Sequence, residues 1–205
     1  RVLQLQCEKP QYDPIFSPEA FRTLLSSSKS IQSLYLENCG LVDAHIDVLN
    51  EELPQNKVVS LLDLKGNQFS DDALYATGCL LPKVTTLKTL DLSGIYITIE
   101  AGEALAQGLL QNSTLLYLEL EGTAERYKDE FDIPESKFEH ADFTRTMDYR
   151  LRLNRAYHEA HHDPSHVDNF CAALNSVSDH LSCLYYFIRT YKVHSIAVSR
   201  HCNPK

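Results

Sequence analysis

Ile31-Gln32-Ser33-Leu34-Tyr35-Leu36, Val59-Ser60-Leu61-Leu62-Asp63-Leu64, Leu87-Lys88-Thr89-Leu90-Asp91-Leu92 and Leu115-Leu116-Tyr117-Leu118-Glu119-Leu120 are one pattern written four times. The copies start at a constant step of 28 residues, and each carries an apolar first position and Leu at the fourth and sixth. A fixed period of this size marks a repeat array, in which one unit cannot bury its apolar face alone and stacked units share a core. Alternation over the six residues predicts a short strand. Beyond each strand the apolar residues return at helical spacing: Ile46, Leu49 and Leu53, then Leu74 and Leu81, then Leu105 and Leu109. Each unit reads strand, loop, helix, so stacking produces a parallel sheet backed by helices.

The ninth position of the four units holds Cys39, Asn67, Ile95 and Thr123, and the eleventh holds Leu41, Phe69 and Ile97 in the first three. With these, residues 31–123 resemble the ribonuclease-inhibitor-like class of leucine-rich repeats, whose units follow LxxLxLxxN/CxL. Ile95 and Thr123 depart from that Asn/Cys preference. The resemblance implies an α/β solenoid with parallel strands on its concave side and helices on its convex side. It also implies a macromolecular partner on the strand face. Leu3 and Leu5 lie 31 residues before Leu34 and Leu36 and predict an earlier strand. Ser17-Pro18-Glu19 then predicts a helix start, with an N-cap, a first-turn Pro and an acidic first turn, leading into Phe21 and Leu25. The array is expected to have begun upstream, with the chain truncated at its N-terminus.

Strand residues alternate in direction, so the third, fifth and seventh positions are expected to point away from the core. They are Ser33, Tyr35 and Glu37; Leu61, Asp63 and Lys65; Thr89, Asp91 and Ser93; and Tyr117, Glu119 and Glu121. Lys65 is the one cation among five carboxylates. The expected contact residues are Tyr35, Glu37, Asp63, Asp91, Tyr117, Glu119 and Glu121, and an acidic strip with two tyrosines suits a basic protein partner. A solvated strand face is polar in any case. The resemblance also brings in the GTPase-activating proteins of the Ran GTPase, which supply a catalytic Arg. No Arg occurs between Ile31 and Ala124, which argues against that activity.

The whole chain of 205 residues carries 19 Lys and Arg against 28 Asp and Glu, a net charge of -9, which disfavours a general nucleic-acid binder. Its apolar runs are far shorter than the roughly 20 residues of a membrane-spanning helix. The six cysteines are widely and irregularly spaced with no CxxC, and read as reduced thiols, several of them buried, in a reducing, cytoplasmic setting. The first 124 residues hold 8 Lys and Arg against 16 Asp and Glu, whereas the remainder is nearly balanced and contains eight of the nine histidines.

The repeat pattern breaks after Leu120. The expected organisation is an array over 1–124, then a charged connector and helical C-terminal cap over 125–205. A helix is predicted over Asp142–His161, with Phe143, Met147, Leu151 and Tyr157 along one side. A second, Ser165–Arg189, carries a narrow apolar seam suited to another helix or a partner chain. A short strand is predicted within 193–200.

One string is catalytic in form. His158-Glu159-Ala160-His161-His162 matches H-E-x-x-H, in which two His one turn apart bind zinc and Glu takes a proton from the metal's water. Asp168 falls where a third ligand would stand, while Ser165 replaces the turn Gly. The alternative to a non-catalytic binding module is therefore a zinc-dependent hydrolase using His158, His162 and Asp168 as ligands and Glu159 as base. Ser165 and Asp168 have a competing explanation as a helix cap. The expectation is a non-enzyme with no cofactor. P-loop, GxGxxG and G-x-S-x-G patterns are lacking.

Overall fold

Five strands alternate with helices in the computed structural model, which describes residues 1–5, 7, 11–120, 142–162, 173–175 and 177–178. The elements are β1 (Val2–Gln4), α1 (Pro18–Ser27), β2 (Ser33–Tyr35), α2 (Asp43–Glu52), β3 (Leu61–Asp63), α3 (Asp71–Leu80), a 3-10 turn (Leu81–Lys83), β4 (Thr89–Asp91), α4 (Ile99–Gln111), β5 (Tyr117–Glu119) and α5 (Asp142–His162). The strands form one sheet in chain order, all neighbours parallel, as the period implied. Leu3, Leu34, Leu62, Leu90 and Leu118 stand in register across it. Leu34, Leu62 and Leu90 are buried, whereas the end members Leu3 and Leu118 are only partly so.

β2, β3 and β4 each end in a turn that the sequence encodes at the eighth position. Asn38, Gly66 and Gly94 adopt φ of 58°, 68° and 68°, the left-handed region that Gly and Asn tolerate best. The ninth side chain then serves the turn's backbone. Asn67 Nδ2 donates to Leu36 O at 2.8 Å and Leu64 O at 2.7 Å, and its Oδ1 accepts from Leu41 N at 3.0 Å. Cys39 Sγ donates to Leu5 O at 2.8 Å. Ile95, which breaks the Asn/Cys preference, is buried as plain hydrocarbon.

A second ladder lies at the helix-to-strand end of the units. Asn56 Nδ2 donates to Leu25 O at 2.9 Å while its Oδ1 accepts from the N–H groups of Val58 and Val59, both at 2.8 Å. Asn112 repeats the arrangement with Leu81 O, Val84 O and the N–H groups of Thr114 and Leu115. Both amides are buried, and each ties one unit to the next through backbone groups that would otherwise lack partners.

Ser17, Ser70 and Thr98 cap α1, α3 and α4, each accepting the N–H of the residue three further on. α2 departs from this, since Val42 has no side-chain acceptor. His45 takes over: its Nδ1 accepts from Val42 N at 3.2 Å, so Nε2 carries the proton and donates to Phe16 O at 3.1 Å. The ring is fully buried beside Phe16 and Phe21.

The closest helix contact joins α3 and α4, where a Cβ on Gly108 would stand 1.9 Å from Gly78 O. Phe143 occupies the space left by the missing side chain of Gly102, where a Cβ would stand 2.6 Å from its Cζ, and with Met147 and Leu151 it joins the core of the repeats. Arg150 Nε donates to Asn112 O at 2.8 Å. The chain divides into two compact units, Arg1–Leu151 and Arg152–Lys205. In the second, Leu153, Asn154 and Ala156 are buried. The predicted boundary at 124, the connector, nearly all of the 165–189 helix and the 193–200 strand lie outside the described residues. No described helix is long and apolar enough to cross a membrane.

Gly108→Ala is expected to lower stability by about 3 kcal/mol, because backbone faces the added methyl and nothing flexible can give way. Exposed Gln107→Ala should stay within about 0.5 kcal/mol of wild type. Urea unfolding of both variants checks this.

Candidate interaction face

With Leu34, Leu62 and Leu90 turned toward the helices, their neighbours face outward, and the parallel register sorts them into rows. Tyr35, Asp63, Asp91 and Glu119 are successive Cα partners across β2 to β5, so four of the seven expected contact residues form one row. Ser33, Leu61, Thr89 and Tyr117 form the row beside it. Tyr35, Asp63 and Asp91 are half-buried, whereas Glu119 and Tyr117 are exposed. Glu37 lies just past β2 with its Oε1 3.7 Å from Lys65 Nζ, so part of the acidic character is locally compensated. Glu121 lies outside the described residues.

Ser93 departs from the expected outward position: it is buried. Lys65, at the same place one unit earlier, is exposed, although the same turn bond forms in both units. Asp91 Oδ1 accepts the N–H of Ser93 at 2.8 Å, and Asp63 Oδ1 accepts the N–H of Lys65 at 3.0 Å. Each Asp thus closes a turn at the end of its strand, ahead of Gly66 or Gly94. Asp-x-x-Gly at 63–66 and 91–94 is a turn signature that reading by faces alone passed over.

Two consequences follow for the electrostatics. Asp63 and Asp91 have structural work in addition to any contact role, so charge reversal there would remove a turn acceptor as well as a charge. Moreover, Asp63 is held above the ordinary carboxylate range. Burial is the main cause, opposed by the Lys65 N–H and reinforced by the nearby charges of Asp91 and Glu37. Among the described residues no ion pair involves Asp91 or Glu119.

The catalytic-looking string is only partly in view. His158 is exposed on α5 and Glu159 is half-buried beside it. The His162 side chain and Asp168 lie outside the described residues. Among the described residues no group of three or more His, Cys, Asp or Glu is placed to hold a metal ion.

Because the folded value of Asp63 lies above its value in the unfolded chain, the protonated form favours folding. That contribution is full below the unfolded value and is lost as pH rises through the folded one. Asp63→Asn keeps an oxygen for Lys65 N–H and removes the charge, so at pH 7 it should be at least as stable as wild type, the gap closing below about pH 4. Asp63→Ala should fall about 1 kcal/mol below the Asn variant through loss of the turn bond. Denaturation across pH checks both.

No family model matches the chain. It is 32% identical over 91 residues to the mouse NACHT, LRR and PYD domains-containing protein 4C, a stretch that makes up 44% of this chain and 9% of that protein. Among solved structures it is similar to leiomodin-1 actin-binding site 2, with a TM-score of 0.51 and 18% identity over 83% of this chain and 90% of that one. The fold is shared with the latter, and the sequence likeness together with the parallel strand-helix alternation makes the chain leucine-rich-repeat-like.

Proposed function

We propose that the chain is a non-catalytic protein-binding module, a leucine-rich-repeat solenoid of the ribonuclease-inhibitor-like class whose outer sheet face takes a basic partner. The helix beginning at Asp142 serves as its C-terminal cap, on the strength of Phe143, Met147 and Leu151 entering the repeat core. Reduced thiols in the repeats agree with a cytoplasmic setting. A protein partner accords with the solved segment of similar fold, which is an actin-binding site, and with the repeat-containing mouse relative.

The observation that carries the reading is the registered row of Tyr35, Asp63, Asp91 and Glu119. Neighbouring strands lie about 4.8 Å apart, so the three carboxylates repeat at that step across the sheet. Like charges in adjacent positions destabilise a sheet unless something offsets them. A helix places Lys or Arg at i, i+3 and i+7 with rises of about 4.5 and 6 Å, close to the strand step. An extended segment places same-side residues about 6.8 Å apart and falls out of step. A basic helix laid across the strands therefore matches the row, with Tyr35 at one end and Tyr117 at the other to stack on guanidinium groups.

The test uses a designed helical peptide with Arg at i, i+3 and i+7 beside a permuted peptide of the same composition. Binding of the first should be tighter, weaken with salt, and fall about tenfold, equivalent to 1.4 kcal/mol, in Asp63→Asn/Asp91→Asn. The Asn pair keeps the turn acceptors, so it should melt no lower than the wild type. Equal binding of both peptides would remove the helix register, and undiminished binding by the Asn variant would remove the face.

A further inference from the structure

Cys7 and Cys39 meet at a junction that the sheet-face reading does not use. Leu5 and Cys7 lie against the turn after β2: Leu5 N donates to Tyr35 O at 2.8 Å, and Cys7 N to Glu37 O at 3.2 Å. On the other side, Cys39 Sγ donates to Leu5 O at 2.8 Å and lies 3.5 Å from the same Glu37 oxygen. One carbonyl therefore gathers the Cys7 amide and the Cys39 sulfur, and Asn38 Nδ2 holds Cys7 O at 3.4 Å. Cys39 is buried, Cys7 is half-buried, and neither is in a disulfide. Packing alone needs one apolar group at the ninth position, as Ile95 shows in its own unit. It does not need a second cysteine beside it from the neighbouring unit.

We propose that Cys7 and Cys39 are a reversible dithiol pair that closes to a disulfide on exposure to a small disulfide oxidant of the glutathione type, stapling the first turn of the array to the second. The Cys7 sulfur, the more accessible of the two, attacks one sulfur of the oxidant as thiolate. It forms a mixed disulfide and releases one glutathione thiolate, which takes up a proton. The Cys39 sulfur then attacks Cys7, releases the second glutathione and gives its own proton to solvent. Two protein thiols are oxidised, one disulfide is reduced to two thiols, and the chain loses two hydrogen atoms. The second step is the slow one. Burial, and next the adjoining Cys7 side chain, push the Cys39 thiol up to about 12, so little of it is thiolate near neutrality.

The test incubates the folded full chain with glutathione disulfide across a pH series, quenches in acid, alkylates free thiols and maps peptides by mass. The expected product is a peptide pair crosslinked through Cys7 and Cys39, reversed by dithiothreitol. Its closing rate should rise about tenfold per pH unit while pH stays below the thiol's value of about 12. Cys7→Ser should lose the crosslink with an unchanged melting curve. Cys39→Ser, which keeps a hydroxyl for Leu5 O, should stop at glutathione on Cys7. Glutathione persisting on wild-type Cys7 while Cys39 remains free to alkylate would overturn the proposal, and so would Cys39 bridged to any other cysteine.

Discussion

A strand of three residues cannot hold a sheet by itself, since it offers only two or three backbone bonds to each neighbour. What makes these strands persist is the in-register stacking of one leucine per strand, from Leu3 through Leu118, against the helices behind. Apolar area removed from water is the dominant favourable term, and here each inner leucine is covered on both sides by its own kind. The end members, with a strand neighbour on one side only among the described residues, are the ones left partly open. Because the ladder fixes register, it also fixes which polar side chains stand together on the far face. The acidic row is a by-product of the apolar one.

That coupling explains what the sequence revealed and what it did not. Periodicity made the leucine ladder and the strand order legible, because hydrophobic spacing maps directly onto face and period, and Ser17-Pro18-Glu19 did the same for the N-cap of α1. The amide ladder of Asn56 and Asn112 was harder to read. Its intermediate member is Val84 and its first is Ser28, so no residue type recurs at every step. His45 was passed over for a similar reason: it replaces a missing cap hydroxyl, and only the third dimension reveals the vacancy it fills. The acidic face follows from alternation, whereas the turn-forming role of Asp63 and Asp91 shows only in the fold. A carboxylate can serve solvent, a partner or its own backbone, and a face diagram does not distinguish these.

Charge and fold pull in opposite directions at the sheet face. Placing Asp63, Asp91 and Glu119 on adjacent strands costs stability through mutual repulsion, and Lys65 relieves it at one corner, where it pairs with Glu37. The two inner carboxylates recover part of that cost by satisfying backbone N–H groups. Repulsion and hydrogen bonding can coexist because one oxygen of each carboxylate is enough to accept the turn N–H. On the proposed reading, Asp63 and Asp91 would meet a cation already held in place by their turns.

The glycine contact between α3 and α4 bears on how such an array could grow. Gly108 fits because the residue opposite it is Gly78, and these two belong to different units at different positions of the repeat. A tandem duplication of the unit starting at Leu87 would set the new Gly108 against Ala106 of its own predecessor, and the matched pair would be lost. Units that look interchangeable along the leucine ladder are thus individually fitted along their helices. Shuffling them as modules would require re-cutting the helix seams even where every strand still finds its register.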